Sequence, residues 1–205
     1  SYATPLLDSS STKRTAEIAR IIGESYFKTD RYKETIPYLK RYEKSIVNLS
    51  REDSYELAYS YYKNGEIDNA VIYFQNTTSV QEDDLITQSA LYHLADCYIK
   101  KGKKKFAVSA FYAASNLDFD SRIKEDGLFN YAKLSYELSF NPFNEAIDAF
   151  KTYINDYPNS QNVDEAYKYL INAYLTTKNY SEALKSMESI KTMNQDIKQA
   201  YQKIA

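Results

Sequence analysis

A short motif that recurs at a nearly constant interval constrains the fold of this chain more than any other feature. A small residue and, three positions later, a tyrosine occur in five copies, with Ser135 in place of the tyrosine in the fourth copy and Ile171 in place of the small residue in the fifth. The pairs are Gly23 and Tyr26, Ala58 and Tyr61, Ala95 and Tyr98, Ala132 and Ser135, and Ile171 and Tyr174. From one copy to the next, the tyrosine position of the motif moves along the chain by 35 (26 to 61), 37 (61 to 98), 37 (98 to 135) and 39 (135 to 174) residues. A period of this length predicts an array of helical hairpins.

A second pair of residues follows each copy and predicts a second helix. It combines a small residue with a large apolar one four positions later, a spacing that places both on one helical face. The pairs are Thr35 and Leu39, Ala70 and Phe74, Ala107 and Phe111, Ala146 and Phe150, and Ala183 and Met187. In the fourth copy the pair lies two residues later, and we assign the extra length to a turn at residues 139–144, where insertions cost little.

Together these positions resemble the tetratricopeptide repeat (TPR) family, whose pattern is W-x2-L-G-x2-Y, then A-x3-F, then P. The resemblance covers about residues 15 to 192 and is most specific in the second, third and fifth copies. Other residues replace the family's tryptophan: Ala19, Ser54, Leu91, Leu128 and Tyr167. The resemblance implies an all-α fold, a right-handed superhelical solenoid of antiparallel helix pairs with about five repeats and the start of a sixth.

The same register predicts the domain organisation. Residues 1–12 are expected to be a linker or the tail of a preceding element, 13–192 the TPR-like array, and 194–205 the first helix of a truncated further repeat. The repeats are expected at about 16–49, 51–84, 88–121, 125–160 and 164–193. The chain is therefore expected to be a segment of a longer repeat protein. Pro37 falls inside the predicted helix from Tyr32 to Lys44, where it removes a backbone donor.

The resemblance also implies where a partner binds. In the family, the first helix of each pair lines a concave groove, and tyrosine suits such a surface because it combines a large ring with a polar tip and little rotamer entropy. Carrying the groove positions over predicts this set of partner-binding residues: Tyr55, Tyr59, Tyr62, Tyr92, Asp96, Phe129, Lys133, Tyr136 and Tyr169. The implied function is a non-enzymatic scaffold that binds a peptide or partner domain in a tyrosine-rich concave groove.

Two alternatives stay open at this point. The tyrosines could instead fill the packing between repeats, and the chain could be a structural or assembly segment acting through its repeat ends or convex face. The family's other familiar mode, the clamping of a C-terminal carboxylate by lysine and asparagine, is not expected, because acidic, apolar or aromatic residues fill the corresponding positions. They are Glu17, Ile21, Glu24, Glu52, Glu56 and Tyr59.

Little in the sequence favours chemistry. His93 is the only histidine and is expected at the edge of the groove, and Cys97 is expected to be a packing thiol, so we predict no catalytic residue, cofactor or metal. The net charge of −2 favours no nucleic acid partner, and the lysine run at residues 100–105 is expected to be a solvated turn. No apolar run predicts membrane insertion. Self-association through the uncapped C-terminal helix is a further expectation.

The fourth repeat also suggests a location. The segment from Ala146 through Phe150 and Tyr153 to Ser160 is similar to TPR repeats of bacterial cell-envelope proteins, of the outer-membrane assembly lipoprotein and Tol-Pal accessory type. This similarity implies a bacterial protein of the periplasm or cell envelope, with a cytoplasmic location as the open alternative.

Overall fold

The structure, a computed structural model, describes residues 12–80, 82–138 and 144–188. These residues form ten α-helices and no β-strand. The helices are α1 Thr12–Phe27, α2 Tyr32–Glu43, α3 Arg51–Lys63, α4 Ile67–Thr78, α5 Leu85–Lys100, α6 Lys104–Ser115, α7 Ser121–Leu138, α8 Asn144–Asp156, α9 Val163–Thr176 and α10 Tyr180–Glu188. The all-α fold class and the helix expected around Pro37 are confirmed. The predicted linker before Thr12, the extra length at residues 139–143 and the truncated repeat at 194–205 lie outside the described residues.

The chain divides into two compact units between Lys103 and Lys104, in the turn that joins the two helices of the third predicted repeat. Unit 1 contains α1 to α5, and unit 2 contains α6 to α10. In unit 1, α2 packs against α1 and α3, and α4 packs against α3 and α5. In unit 2, α7 packs against α6 and α8, and α9 packs against α8 and α10.

The small residues of the motif let the paired helices approach closely, as the pattern predicts. A Cβ atom added to Gly23 on α1 would lie 2.8 Å from Cδ2 of Leu39 on α2, closer than carbon atoms pack. Leu39 itself is fully buried. In the second repeat, Ala58, Ala70 and Phe74 are fully buried in the same arrangement. The packing of unit 1 therefore depends on the absence of side-chain volume at these positions.

Unit 2 has a core of the same kind. Its main cluster joins Ala132, Ala146 and Phe150 with Tyr153, and all four are buried. In the fifth repeat, Ile171 and Met187 form a separate buried cluster with Tyr167, Leu175 and Leu184 around it. Ile171, which departs from the family's small residue, thus packs directly on the large residue of the following helix.

Four first helices end in the same backbone motif. In each, the amide five residues after the signature tyrosine donates to that tyrosine's carbonyl, at 2.8–2.9 Å: Arg31 to Tyr26, Glu66 to Tyr61, Lys103 to Tyr98 and Asn179 to Tyr174. The residue just before each donor has a positive φ: Asp30 59°, Gly65 78°, Gly102 68° and Lys178 58°. This is the Schellman arrangement, which satisfies the last helical carbonyls and reverses the chain.

A partly buried ion pair joins successive repeats in unit 1. Asp84 caps α5 by accepting a hydrogen bond from the backbone amide of Thr87, at 2.8 Å. The same carboxylate binds both terminal nitrogens of Arg51, in the first turn of α3. The Arg51 guanidinium, only 8% exposed, holds the pKa of the Asp84 carboxyl well below its usual range. This bidentate pair fixes the start of α5 against the start of α3.

Candidate functional site

The first helices of unit 1 form a continuous layer that carries most of the predicted partner-binding residues. Helix α3 packs directly against α1 on one side and α5 on the other. Tyr55, Tyr59 and Tyr62 lie on α3, and Tyr92 and Asp96 lie on α5. Spacings of three and four place each set on one side of its helix. We call the partly buried rings that gather here the tyrosine face: Phe27, Tyr32, Tyr55, Tyr59, Tyr62, Tyr92 and His93.

Tyr59 lies at the centre of the tyrosine face. The distances from its ring centroid are 6.0 Å to Phe27 of α1, 5.4 Å to Tyr32 at the start of α2, and 5.0 Å to His93 of α5. Its neighbours on α3, Tyr55 and Tyr62, have centroids 6.0 and 6.1 Å away. Most of these rings meet edge-to-face or tilted, the arrangements that aromatic pairs favour. One ring therefore links three successive repeats.

Hydrogen bonds fix the polar ends of two of these rings across the α3–α5 boundary. The hydroxyl of Tyr55 shares a hydrogen bond with that of Ser89, with 2.7 Å between the oxygens. The hydroxyl of Tyr62 donates to Oδ2 of Asp96 at 2.8 Å, and the same oxygen lies 2.7 Å from Nζ of Lys100. Burial is the main cause that raises the pKa of both tyrosines, so both remain neutral phenols at neutral pH.

His93 takes a more central place than the sequence suggests. Its ring contacts Tyr59 and Tyr62 at 5.0 Å each and Tyr92 at 5.4 Å, and stacks on Phe74 of α4 at 6.0 Å. Burial lowers the pKa of His93 to about 4, so the imidazole is neutral at neutral pH. The expectation of an edge position was wrong, because the tyrosines of the preceding repeat cover the ring. Its Nδ1 has no hydrogen-bond partner among the described residues.

Charged groups border the rings. Nζ of Lys63 lies 5.8 Å from the ring centroids of both Tyr32 and Tyr59, and Nζ of Lys100 lies 4.2 Å from that of Tyr62. These distances are within cation–π range. Between α1 and α3 the carboxyl of Glu56 is partly buried, and burial, with Glu24 and Asp53 nearby, raises its pKa to about 7. Two ammonium groups therefore border the rings, and α3 also carries a carboxyl whose pKa lies near neutral pH.

Of the four predicted site residues of unit 2, three are partly buried and one belongs to the core. Tyr169 lies 5.2 Å from Tyr136 by ring centroids, and Nζ of Lys133 lies 5.7 Å from the Tyr169 ring and 3.2 Å from Oε1 of Glu165. Phe129, by contrast, is only 6% exposed and packs on Phe150 and Tyr153. It stabilises the core of unit 2, so we remove it from the candidate surface.

The groups that could carry chemistry are placed elsewhere. Cys97 is buried, and burial raises the pKa of its thiol to about 12, as for a packing residue. Within residues 12–80, 82–138 and 144–188, no three side chains of the types that bind metals gather into one site. None of the helices in these ranges is both long and apolar enough to span a bilayer.

Comparison with known proteins supports the interpretation of the repeats. One model of the tetratricopeptide repeat matches residues 54–79 and 126–160, and a second matches residues 88–121. None of the curated proteins matches the chain. Among solved structures, 81 chains match.

Two of these structures illustrate the likeness. MamA (AMB-1) has a TM-score of 0.65 and 19% identity, over 85% of this chain and 88% of that one. YrrB, described as a TPR protein with an unusual peptide-binding site, has a TM-score of 0.68 and 13% identity, over 92% of this chain and 90% of that one. At such identities the likeness concerns the fold. The matched repeat models show that this chain contains tetratricopeptide repeats.

Proposed function

We propose that this chain is a protein-interaction scaffold that binds a peptide or a partner domain on the tyrosine face of unit 1. Repeat arrays of this family present extended surfaces to protein partners. The observation that carries the proposal is the contact of Tyr59 with rings from three repeats. A ligand that lies across these rings would touch all three repeats at once.

The tyrosine face is suited to binding because it is already ordered. The hydroxyls of Tyr55 and Tyr62 are bonded to α5, and neighbouring rings restrict one another. Side chains that are fixed beforehand lose little rotamer entropy when a partner arrives, so more of the contact energy appears as affinity. The rings are partly exposed, which leaves apolar area for a partner to bury. YrrB, with its unusual peptide-binding site, shares this fold.

We extend the proposal to a partly buried aromatic pair of unit 2. Tyr136 and Tyr169 meet edge-to-face beside Lys133, at the register positions that correspond to the tyrosine face. They offer a smaller aromatic surface with a cation at its border, suited to an additional contact.

The test is a selection of peptides from a random display library, followed by affinity measurements on the selected peptide. The double variant Tyr59→Ala, Tyr92→Ala should weaken binding by at least tenfold, because it removes about 1.4 kcal/mol or more of ring contact. Circular dichroism must show that the variant keeps its helical content.

A matched control is available in the same unit. Ile72 and Leu85 are 53% and 52% exposed and lie outside the tyrosine face. The variant Ile72→Ala, Leu85→Ala removes exposed apolar side chains outside the tyrosine face and should bind like the wild type. Equal affinities for wild type and the tyrosine variant would refute the proposal.

A second candidate function is an assembly segment that acts through the second helices. The observation that favours it is the exposure of large apolar side chains there, at Ile72 on α4 and at Phe106 and Tyr112 on α6. If this is the main role, the Ile72→Ala, Phe106→Ala variant should lower the apparent mass in analytical ultracentrifugation, whereas the tyrosine-face variant should not.

For the location we propose the bacterial cell envelope, on the strength of the fourth repeat alone. Its pattern Ala146, Phe150, Tyr153 and Ser160 is similar to that of envelope TPR proteins, and the three apolar positions are buried. Fractionation of the source cells with an antibody against this chain tests the proposal. Recovery in the cytoplasmic fraction would contradict it.

A further inference from the structure

A recessed surface in unit 2 has a lining that includes no residue of the tyrosine face. Helices α6, α7 and α8 enclose an open cavity of about 520 Å³, within the range of ligand sites in proteins. Leu128 and Tyr131 of α7 contribute to its lining, together with Tyr112 of α6 and Tyr157, which follows α8. The cavity therefore combines three phenol rings with the apolar side chain of Leu128.

The charges that line this cavity are mainly negative. Glu145, Asp148 and Asp156, all exposed on α8, contribute carboxylates. Within the described ranges, neither Glu145 nor Asp148 has a salt-bridge partner. The one lining cation, Lys124, is 3.0 Å from the carboxylate of Asp118, which lies outside the lining. The cavity thus has an excess of negative charge that salt bridges among the described residues do not neutralise.

The aromatic groups beside these carboxylates favour a planar cation. The rings of Tyr112 and Tyr131 lie 4.9 Å apart at an angle of 45°, and Tyr112 is 50% exposed. Burial is the main cause that raises the pKa of Tyr131, followed by the charge of Glu145, so its ring remains a neutral phenol. A guanidinium group can stack on such a ring while its N–H groups donate to carboxylates, whereas an ammonium group is a compact point charge.

We propose that this cavity receives an arginine side chain of a protein partner. The guanidinium would stack on the exposed ring of Tyr112 and donate hydrogen bonds to the carboxylates of Glu145 and Asp148. The evidence is charge complementarity: carboxylates that have no salt-bridge partner among the described residues, the exposed ring of Tyr112 and the partly buried rings of Tyr131 and Tyr157 border one recess of suitable size. This inference does not depend on the tyrosine face, since every lining residue belongs to unit 2.

The test uses two peptides that differ only in charge. Acetyl-Gly-Arg-Gly-amide and the same peptide with citrulline, which keeps the shape of arginine without its charge, are titrated into the ¹⁵N-labelled chain. The arginine peptide should shift the backbone resonances of the residues that line the cavity, and the citrulline peptide should bind at least tenfold more weakly. Equal binding of both peptides, or shifts confined to other surfaces, would overturn the proposal.

Variants make the assignment specific. The double variant Glu145→Gln, Asp148→Asn should weaken the arginine peptide by about tenfold, the effect of losing about 1.4 kcal/mol. Tyr112→Ala should also weaken it, because the stacking surface is lost. The control Glu182→Gln, Glu188→Gln makes the same change of charge on α10 and should bind within twofold of the wild type. Wild-type affinity in the first two variants, or an equal loss in the control, would refute the proposal.

Discussion

The hydroxyl of Tyr62 on α3 donates a hydrogen bond to Oδ2 of Asp96 on α5, 2.8 Å away. The two residues lie 34 positions apart, close to one repeat, so the bond joins equivalent surfaces of successive repeats. Because the acceptor also receives Nζ of Lys100 at 2.7 Å, the phenol joins an ion pair. Bonds to a charged acceptor are stronger than those between neutral groups.

Tyr62→Phe should therefore lower the free energy of unfolding by about 1 kcal/mol, measured by urea titration. The double variant with Asp96→Asn should lose less than the sum of the single losses, since both changes remove the same bond. Tyr38→Phe is the control, because Tyr38 packs on Tyr26 and its hydroxyl has no hydrogen bond within the described residues. A fully additive double variant would show that the bond contributes nothing to stability.

Gly23 provides a prediction with an unusual sign. Alanine normally stabilises a helix relative to glycine by about 1 kcal/mol. Gly23→Ala should instead destabilise the chain by about 1–3 kcal/mol, because the new methyl group would overlap with Leu39. In a Leu39→Ala background the same substitution should cost much less, because the side-chain atoms nearest to the new methyl group are absent. Thermal unfolding of the wild type, the two single variants and the double variant tests this. A stabilising effect of Gly23→Ala in the wild-type background would contradict the close approach of α1 and α2.

Glu56 should make the stability of the chain depend on pH. Burial raises its folded-state pKa from 4.5 to about 7, so between these values the folded chain binds more protons than the unfolded chain. Its contribution to the free energy of unfolding is therefore present below about pH 4.5 and is lost as the pH rises through about 7. Glu56→Gln should leave stability near pH 4.5 almost unchanged and raise it at pH 8 by about 1 kcal/mol, after allowance for solvent screening.

The control for this prediction is Glu52→Gln on the same helix, where the side chain is exposed. Urea titrations at pH 4.5, 6 and 8 should give the control the same pH dependence as the wild type. If Glu56→Gln also follows the wild-type curve, the Glu56 carboxyl ionises as it does in water.

His93 should change the pH dependence of stability in the opposite direction to Glu56. Its folded-state pKa, lowered by burial from 6.5 to about 4, means that the unfolded chain binds more protons in that interval. Stability from this residue is therefore present above about pH 6.5 and is lost as the pH falls through about 4. Between pH 4.5 and 6.5 the contributions of Glu56 and His93 oppose each other, so the free energy of unfolding of the wild type should vary little there. In Glu56→Gln, where the contribution of His93 is no longer opposed, the free energy of unfolding should rise with pH over the same range.

The histidine can be measured directly because the chain has only one. An NMR titration of the imidazole resonances should give a midpoint near 4 in the folded chain and near 6.5 in urea. A folded-state midpoint near 6.5 would place the ring in water and contradict its position beneath Tyr59 and Tyr62.

The helix pairs could be predicted because one local pattern specifies each of them. Small residues such as Ala58 and Ala70, at a repeated spacing, require a close approach wherever they occur, and the structure buries both completely. The clustering of Tyr55, Tyr59 and Tyr62 likewise follows from helical spacing within α3. Their use in binding remains a prediction.

What could not be predicted depends on contacts between helices that the local pattern does not specify. Phe129 occupies the same register position as Tyr55 and Tyr92, but α8 places Phe150 and Tyr153 against it and buries it. His93 is central only because two tyrosines of the preceding repeat cover it. The pair of Arg51 and Asp84 has no signature in the period, since nothing local indicates that two helix starts 33 residues apart will meet.

The shared turn at the ends of four first helices has a consequence for how such a chain can change over time. In each, a backbone bond to the signature tyrosine's own carbonyl reverses the chain within five residues, as from Tyr61 to Glu66. The hydrogen bond that reverses the chain therefore lies within each helix pair, and it needs no side chain from a neighbouring repeat. A stretch of DNA that encodes one helix pair can be duplicated or lost without requiring a new loop structure. Lineages of this chain could then differ in the number of pairs while each pair keeps its own geometry.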